Sequence, residues 1–152
     1  MHYGDLTVLA LHVEVPCVVK AQRDKVYAAY TDFEAWPKWS RQATAIRVVG
    51  REGNTVRIES ETALGGKLRT SLGKLTLSPP ELVESESETR FNKTKRAVRF
   101  EDVPEGTRVT AVLDVQVKRP WSLIFAPRGK DVAESLAREG LRSFSEYVES
   151  LP

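Results

Sequence analysis

The chain has one cysteine, Cys17, among its 152 residues. A lone thiol rules out an intrachain disulfide and a structural zinc held by several thiolates. Histidine is nearly as scarce. His2 lies in the N-terminal tail, and His12 alternates with Glu14 on what reads as a polar strand face. Neither has an evident partner for a metal site, and no metal or cofactor is expected. No apolar run approaches the roughly 20 residues that span a bilayer. Met1 to His12 is too short for a signal peptide and carries Asp5 where positive charge is needed. The expectation is a soluble, cytoplasmic protein. Net charge is only +2, from 23 basic and 21 acidic residues, so no nucleic-acid partner is expected. No nucleophile sits in a Gly-x-Ser-x-Gly elbow. Gly66-Lys67 and Gly73-Lys74 lack the Ser or Thr that follows in a phosphate loop. The absence of internal repeats argues against a solenoid.

What remains is an ordinary globular balance of 41% apolar and 29% charged residues. The length suits one domain, residues 1–152. Val13, Val15, Cys17 and Val19 alternate with polar neighbours, a strand period in which Pro16 points to an edge or a bulge. Gln22 to Tyr30 reads as a short helix. Thr31-Asp32 can cap a second, Phe33 to Trp39, limited by Pro37. From Thr44 to Lys118 strand patterns alternate with turn signals, ending in Val109, Ala111, Leu113, Val115 and Val117 on one face. Successive hairpins imply an antiparallel sheet with one apolar face.

The end of the chain has a different period. Ala133, Leu136, Ala137, Leu141, Phe144, Val148 and Leu151 recur at helical spacing over about 20 residues, or about 30 Å. Such a stripe must be buried on the sheet. The expected fold is therefore α+β: a curved antiparallel sheet of about seven strands wrapped round a long C-terminal helix, with two short helices after the first strand. A space between sheet and helix can hold a ligand. Gly140 favours one, because Ala is better inside a helix by about 1 kcal/mol. So do the small or polar residues on strand faces: Ser60, Thr62, Ser71, Gly73, Ser85 and Ser87. The alternative reading is that Gly140 permits close packing and that the serines face solvent.

The run Thr31-Asp32-Phe33-Glu34-Ala35-Trp36-Pro37-Lys38-Trp39, preceded by Val26-Tyr27, resembles the segment after the first strand in the birch-pollen-allergen-like, lipid-transfer-related (START-like) superfamily. Within it the nearest likeness is to the polyketide cyclase/dehydrase and lipid-transport group, which includes coenzyme Q-binding proteins. Element order extends the resemblance over residues 13–150. It implies a helix-grip fold and a deep cavity for a hydrophobic ligand. It leaves carrier, cyclase or dehydratase, and chaperone-type interaction module as alternatives. In the resembling cyclases the tryptophan that matches Trp36 lines the pocket. Rough alignment puts Ala43, Ser71 and Leu75 where those enzymes carry tyrosine, tryptophan and arginine, so no catalytic residue is assigned.

The expected ligand-binding residues are Trp36, Trp39, Arg69, Ser71, Leu113, Gly140 and Phe144. Trp36 and Trp39 either gate the cavity mouth or anchor the short helix, the anchor being favoured for Trp39. Arg69 meets an anionic head group if its strand face looks inward, and is otherwise a solvated arginine. Tyr30, Tyr147 and Asp114 supply either a polar contact or a structural hydrogen bond. Arg90, Lys93, Lys95, Arg96 and Arg99 read as one basic cluster. Lys118, Arg119, Arg128 and Lys130 form another, around Trp121-Ser122-Leu123-Ile124-Phe125. That segment suits either a transient membrane-surface contact or a lid over the cavity. The expected partner is a hydrophobic small molecule.

Overall fold

The computed structural model describes residues 9–41, 43–64, 67–88, 92–119 and 128–152, the side chains of 62–64 and 67–69 excepted. Strand β1 (Leu9–Val19) leads into α1 (Arg23–Thr31) and a 3₁₀ helix (Phe33–Lys38). Strands β2 (Ala43–Glu52), β3 (Thr55–Leu64), β4 (Lys67–Ser78), β5 (Leu82–Glu88), β6 (Asn92–Val103) and β7 (Gly106–Val117) follow, then helix α2 (Gly129–Ser150). The strands form one antiparallel sheet in the order β1-β7-β6-β5-β4-β3-β2. This is the helix-grip arrangement expected from the alternating and helical periods. No helix of the described residues is long and apolar enough to cross a membrane.

The differences from expectation are local. The second short helix is 3₁₀ rather than α, with Pro37 inside it. Asp32 occupies its N-cap position without a side-chain cap, and the Thr31 hydroxyl donates to the Tyr27 carbonyl at 2.8 Å. Strand β6 begins at Asn92, four residues before its apolar alternation becomes evident. Pro16 sits on the edge strand, and the β1–β7 register runs through it without a bulge. Gly106 closes the β6–β7 turn at φ +144°, where a Cβ would lie 2.2 Å from the Val19 carbonyl oxygen. Only glycine fits there.

Register sorts the concave face into cross-strand rows. One row, Leu77–Val83–Val98–Ala111–Val15, is entirely apolar. Phe100 and Val109 extend it toward the β6–β7 turn. The next row, Val56–Leu75–Ser85–Arg96–Leu113–Val13, is mixed. The one beyond runs Ile58–Gly73–Ser87–Thr94–Val115–Leu11. Past that, Ser60 pairs with Ser71.

Helix α2 lies along β1 in the same direction. Gly129 stands against Leu9 and Leu11, Cys17 Sγ approaches the Leu141 carbonyl, and Glu149 accepts the Lys20 backbone N–H. Its C-terminal half therefore brings the buried Phe144 and Val148 to the apolar rows. Its N-terminal end, at Gly129, starts beside Leu9 and Leu11, level with the polar rows.

The convex face is a ladder of alternating charge. Lys74 pairs with Glu86, Glu86 with Lys95, Lys95 with Asp114, and Asp114 with His12. His12 Nδ1 lies 2.6 Å from Asp114 Oδ1. His12 is thus on the polar face that its alternation with Glu14 indicated.

Candidate ligand-binding site

The two short segments after β1 bring a knot of aromatic rings to the gap between sheet and helix. Tyr30 is its centre, with ring centroids 5.2 Å from Trp36, 6.1 Å from Trp39, 5.5 Å from Phe100 and 5.4 Å from Phe144. Trp39 and Phe144 are 5.0 Å apart at a steep angle. Edge-to-face pairs of this kind add about 0.5–1.5 kcal/mol beyond area burial. The knot therefore ties the 3₁₀ helix to α2. An exposed Arg41–Glu139 ion pair of 3.0 Å clips the following residues to the same helix.

The two tryptophans use their indole N–H groups differently. That of Trp36 donates to the Tyr30 carbonyl at 2.7 Å. That of Trp39 is buried and has no acceptor among the described residues. A buried donor left unpaired costs about 1–3 kcal/mol. Trp36 is thus hydrogen-bonded into the fold, whereas Trp39 holds a free polar group against Phe144.

Arg96 was not among the residues singled out as candidates. The alternation Asn92, Thr94, Arg96, Val98, Phe100 places it on the concave face of β6, half-buried. Its outward neighbours Lys95 and Arg99 are exposed. Ser85 and Leu113 flank it on β5 and β7. Its guanidinium lies near enough to the buried phenol of Tyr30 to act on that group's titration. Burial pushes the Tyr30 phenol above its ordinary range, and the Arg96 charge offsets part of that rise.

Three of the expected residues have these surroundings. Ser71 Oγ lies 2.9 Å from Ser60 Oγ, and both are half-buried. Leu113 is buried beside Arg96. A Cβ on Gly140 would meet nothing within 4 Å. At 100° per residue, Gly140 points within about 40° of Phe144, between Ala133 and Tyr147. Ser87, on the same sheet face, is exposed.

Other sequence-derived candidates fall elsewhere. The Arg69 backbone lies in β4, opposite Thr62, but its side chain is outside the described residues. The segment Trp121–Phe125 and Arg90 are outside them too. Asp114 belongs to the outer charge ladder, and Tyr147 packs half-buried against the core. Two surface hollows lie outside the gap. One of about 700 Å³ lies between Lys20–Asp24 and Asp102–Gly106, and one of about 340 Å³ lies over Lys74, Glu86, Lys95 and Asp114 on the outer face, where Ser85 and Arg96 also border it.

The same architecture recurs in solved structures. TTHA0849 from Thermus thermophilus superposes with a TM-score of 0.80 at 20% identity, over 91% of this chain and 97% of that one. The Zhui aromatase/cyclase from Streptomyces sp. R1128 gives 0.75 at 12%, over 93% and 94%. A START superfamily protein from Mycobacterium smegmatis gives 0.75 at 19%, over 95% and 99%. At such identities the likeness is one of fold. Comparison with curated proteins finds no match. At the level of sequence, a family model matches residues 10–149, nearly the whole chain. This protein therefore belongs to the polyketide cyclase / dehydrase and lipid transport family.

Proposed function

We propose that this chain, acting as one domain, binds or carries a hydrophobic small molecule without transforming it. The ligand class is a lipid, an isoprenoid quinone or an aromatic metabolite. It would lie between the concave face and α2. The observation that carries this reading is the space beside Gly140, where a Cβ would meet nothing within 4 Å although helix propensity favours a larger residue there. Affinity would come mainly from apolar burial, about 25 cal/mol per Å². The family description includes lipid transport, which agrees with a carrier.

The test is native mass spectrometry of freshly purified protein, with organic extraction of anything bound. The expected result is a discrete added mass that extracts as a lipid, quinone or aromatic compound. A clean apo mass, unchanged after incubation with a panel of lipids and quinones, would sink the proposal. Gly140→Leu should fill the space and lower affinity at least tenfold while leaving the fold intact. Normal binding by that variant would mean the ligand lies elsewhere.

One observation favours a second reading. Arg96 and Tyr30 form an inward-facing pair able to stabilise an enolate or phenolate, as a cyclase or dehydratase requires. One solved neighbour is an aromatase/cyclase. Turnover of a polyketide-like substrate, abolished by Arg96→Met, would establish that reading over the first.

A further inference from the structure

We infer that the ligand carries an anionic oxygen, a carboxylate in the simplest case, and that Arg96 on β6 receives it. This rests on the hydrophobic-ligand reading above and narrows it to apolar acids.

Strand register is the first support. Arg96 stands where the apolar rows give way to the small and polar ones, with Ser85 and Leu113 as its cross-strand neighbours. A head group held there would leave an apolar tail free to follow either direction along the gap. The second support is charge. A half-buried guanidinium off the solvent face is costly unless something accepts its N–H groups. On the concave side of β6 the carboxylate is Asp102, six residues from Arg96 at the β6–β7 turn and paired with Arg23. Glu34, on the 3₁₀ helix, accepts the Val48 backbone N–H. On α2, Glu134 is engaged by Arg138, Glu139 by Arg41, and Glu149 by Ser145 and Lys20.

The phenol of Tyr30 lies near Arg96 but brings no negative charge while it is protonated. A guanidinium has five N–H donors in a planar fork that suits a carboxylate. One phenol oxygen leaves donors over. The third support is the buried Trp39 indole N–H, which has no acceptor among the described residues. Tyr30 stands between the two: its ring is 6.1 Å from that of Trp39, and the Arg96 charge acts on its phenol. Two N–H donors thus lie around one buried aromatic side chain.

The test compares two probes that differ only in the head group: 11-(dansylamino)undecanoic acid and its methyl ester. Dansyl emission is titrated on the full chain at neutral pH. The acid should bind about ten- to a hundredfold more tightly than the ester, the range of a charge-assisted hydrogen bond. Arg96→Met should bring the acid down to the ester's affinity and leave the ester unchanged. Arg96→Lys should keep part of the preference. Equal affinities for acid and ester on the unaltered protein overturn this inference and leave the hydrophobic-ligand reading standing. Failure to bind either probe overturns both. An acid preference that survives in Arg96→Met shows that another cation receives the head group. The comparison on the unaltered protein decides the matter even if the Met variant fails to fold.

Discussion

The two ends of the concave face are built from the same strands to opposite rules. Toward the β6–β7 turn, the rows through Val98 and Phe100 are apolar, and Phe144, Val148, Tyr27 and Tyr30 close over them. Each fully buried side chain of this kind contributes about 1.5–3 kcal/mol. At the other end, Ser60, Ser71, Gly73 and Ser87 replace large apolar side chains on β3, β4 and β5, although Ile58, Leu113 and Val117 remain buried. Large apolar side chains are densest at one end and small or polar ones at the other, with Arg96 at the boundary. The difference teaches that a sheet can carry a core and a binding face side by side, sorted along its strands rather than between them.

The sharpest way to break this contrast is to cut the packed end. Phe144→Ala removes a fully buried ring that touches Tyr30 and Trp39. A loss of about 3–5 kcal/mol is expected by urea denaturation. A loss under about 1 kcal/mol would mean that the aromatic knot does not hold the fold together.

A middle-sized effect belongs to the boundary. Burial raises the Tyr30 phenol above its ordinary value of 10.0, so the folded state holds that proton more tightly than the unfolded chain does. The associated stability is complete below pH 10 and is lost as pH climbs through the folded-state value. Thermal melts should fall steeply above pH 10. Tyr30→Phe should flatten that fall, leaving the smaller contribution of Tyr27, whose phenol burial also raises. An unchanged alkaline profile would show that Tyr30 ionises without resistance.

The smallest effect is expected at the polar end. Ser60→Ala deletes one half-buried hydrogen bond of 2.9 Å, and its cost should stay within about 1 kcal/mol. A cost comparable to that of Phe144→Ala would erase the distinction between the two ends.

The strands and the long helix could be read from the chain because each carries its own period. Val109 to Val117 alternates almost without fault, and Ala133 to Val148 keeps helical spacing. The 3₁₀ form of Phe33–Lys38 could not be read, since the aromatic packing that holds it depends on Phe100 and Phe144, distant in sequence. The candidate set named Gly140, Ser71 and both tryptophans from local patterns. It passed over Arg96 because Lys93, Lys95 and Arg99 surround it and suggest a solvated run. Counting back by twos from Phe100 and Val98 would have turned that arginine inward. Trp39's unpaired N–H was beyond any pattern, because what a donor lacks is visible only once its surroundings are placed.

The edge at β1 has a consequence for how molecules meet. An edge strand invites a strand from a second molecule to extend the sheet. Proline has no N–H, and the β1–β7 register passes through Pro16 unbroken, so the missing donor falls on the outward side. An incoming strand would find a gap in its ladder midway along β1. This one ring works against sheet-to-sheet polymerisation at the β1 edge.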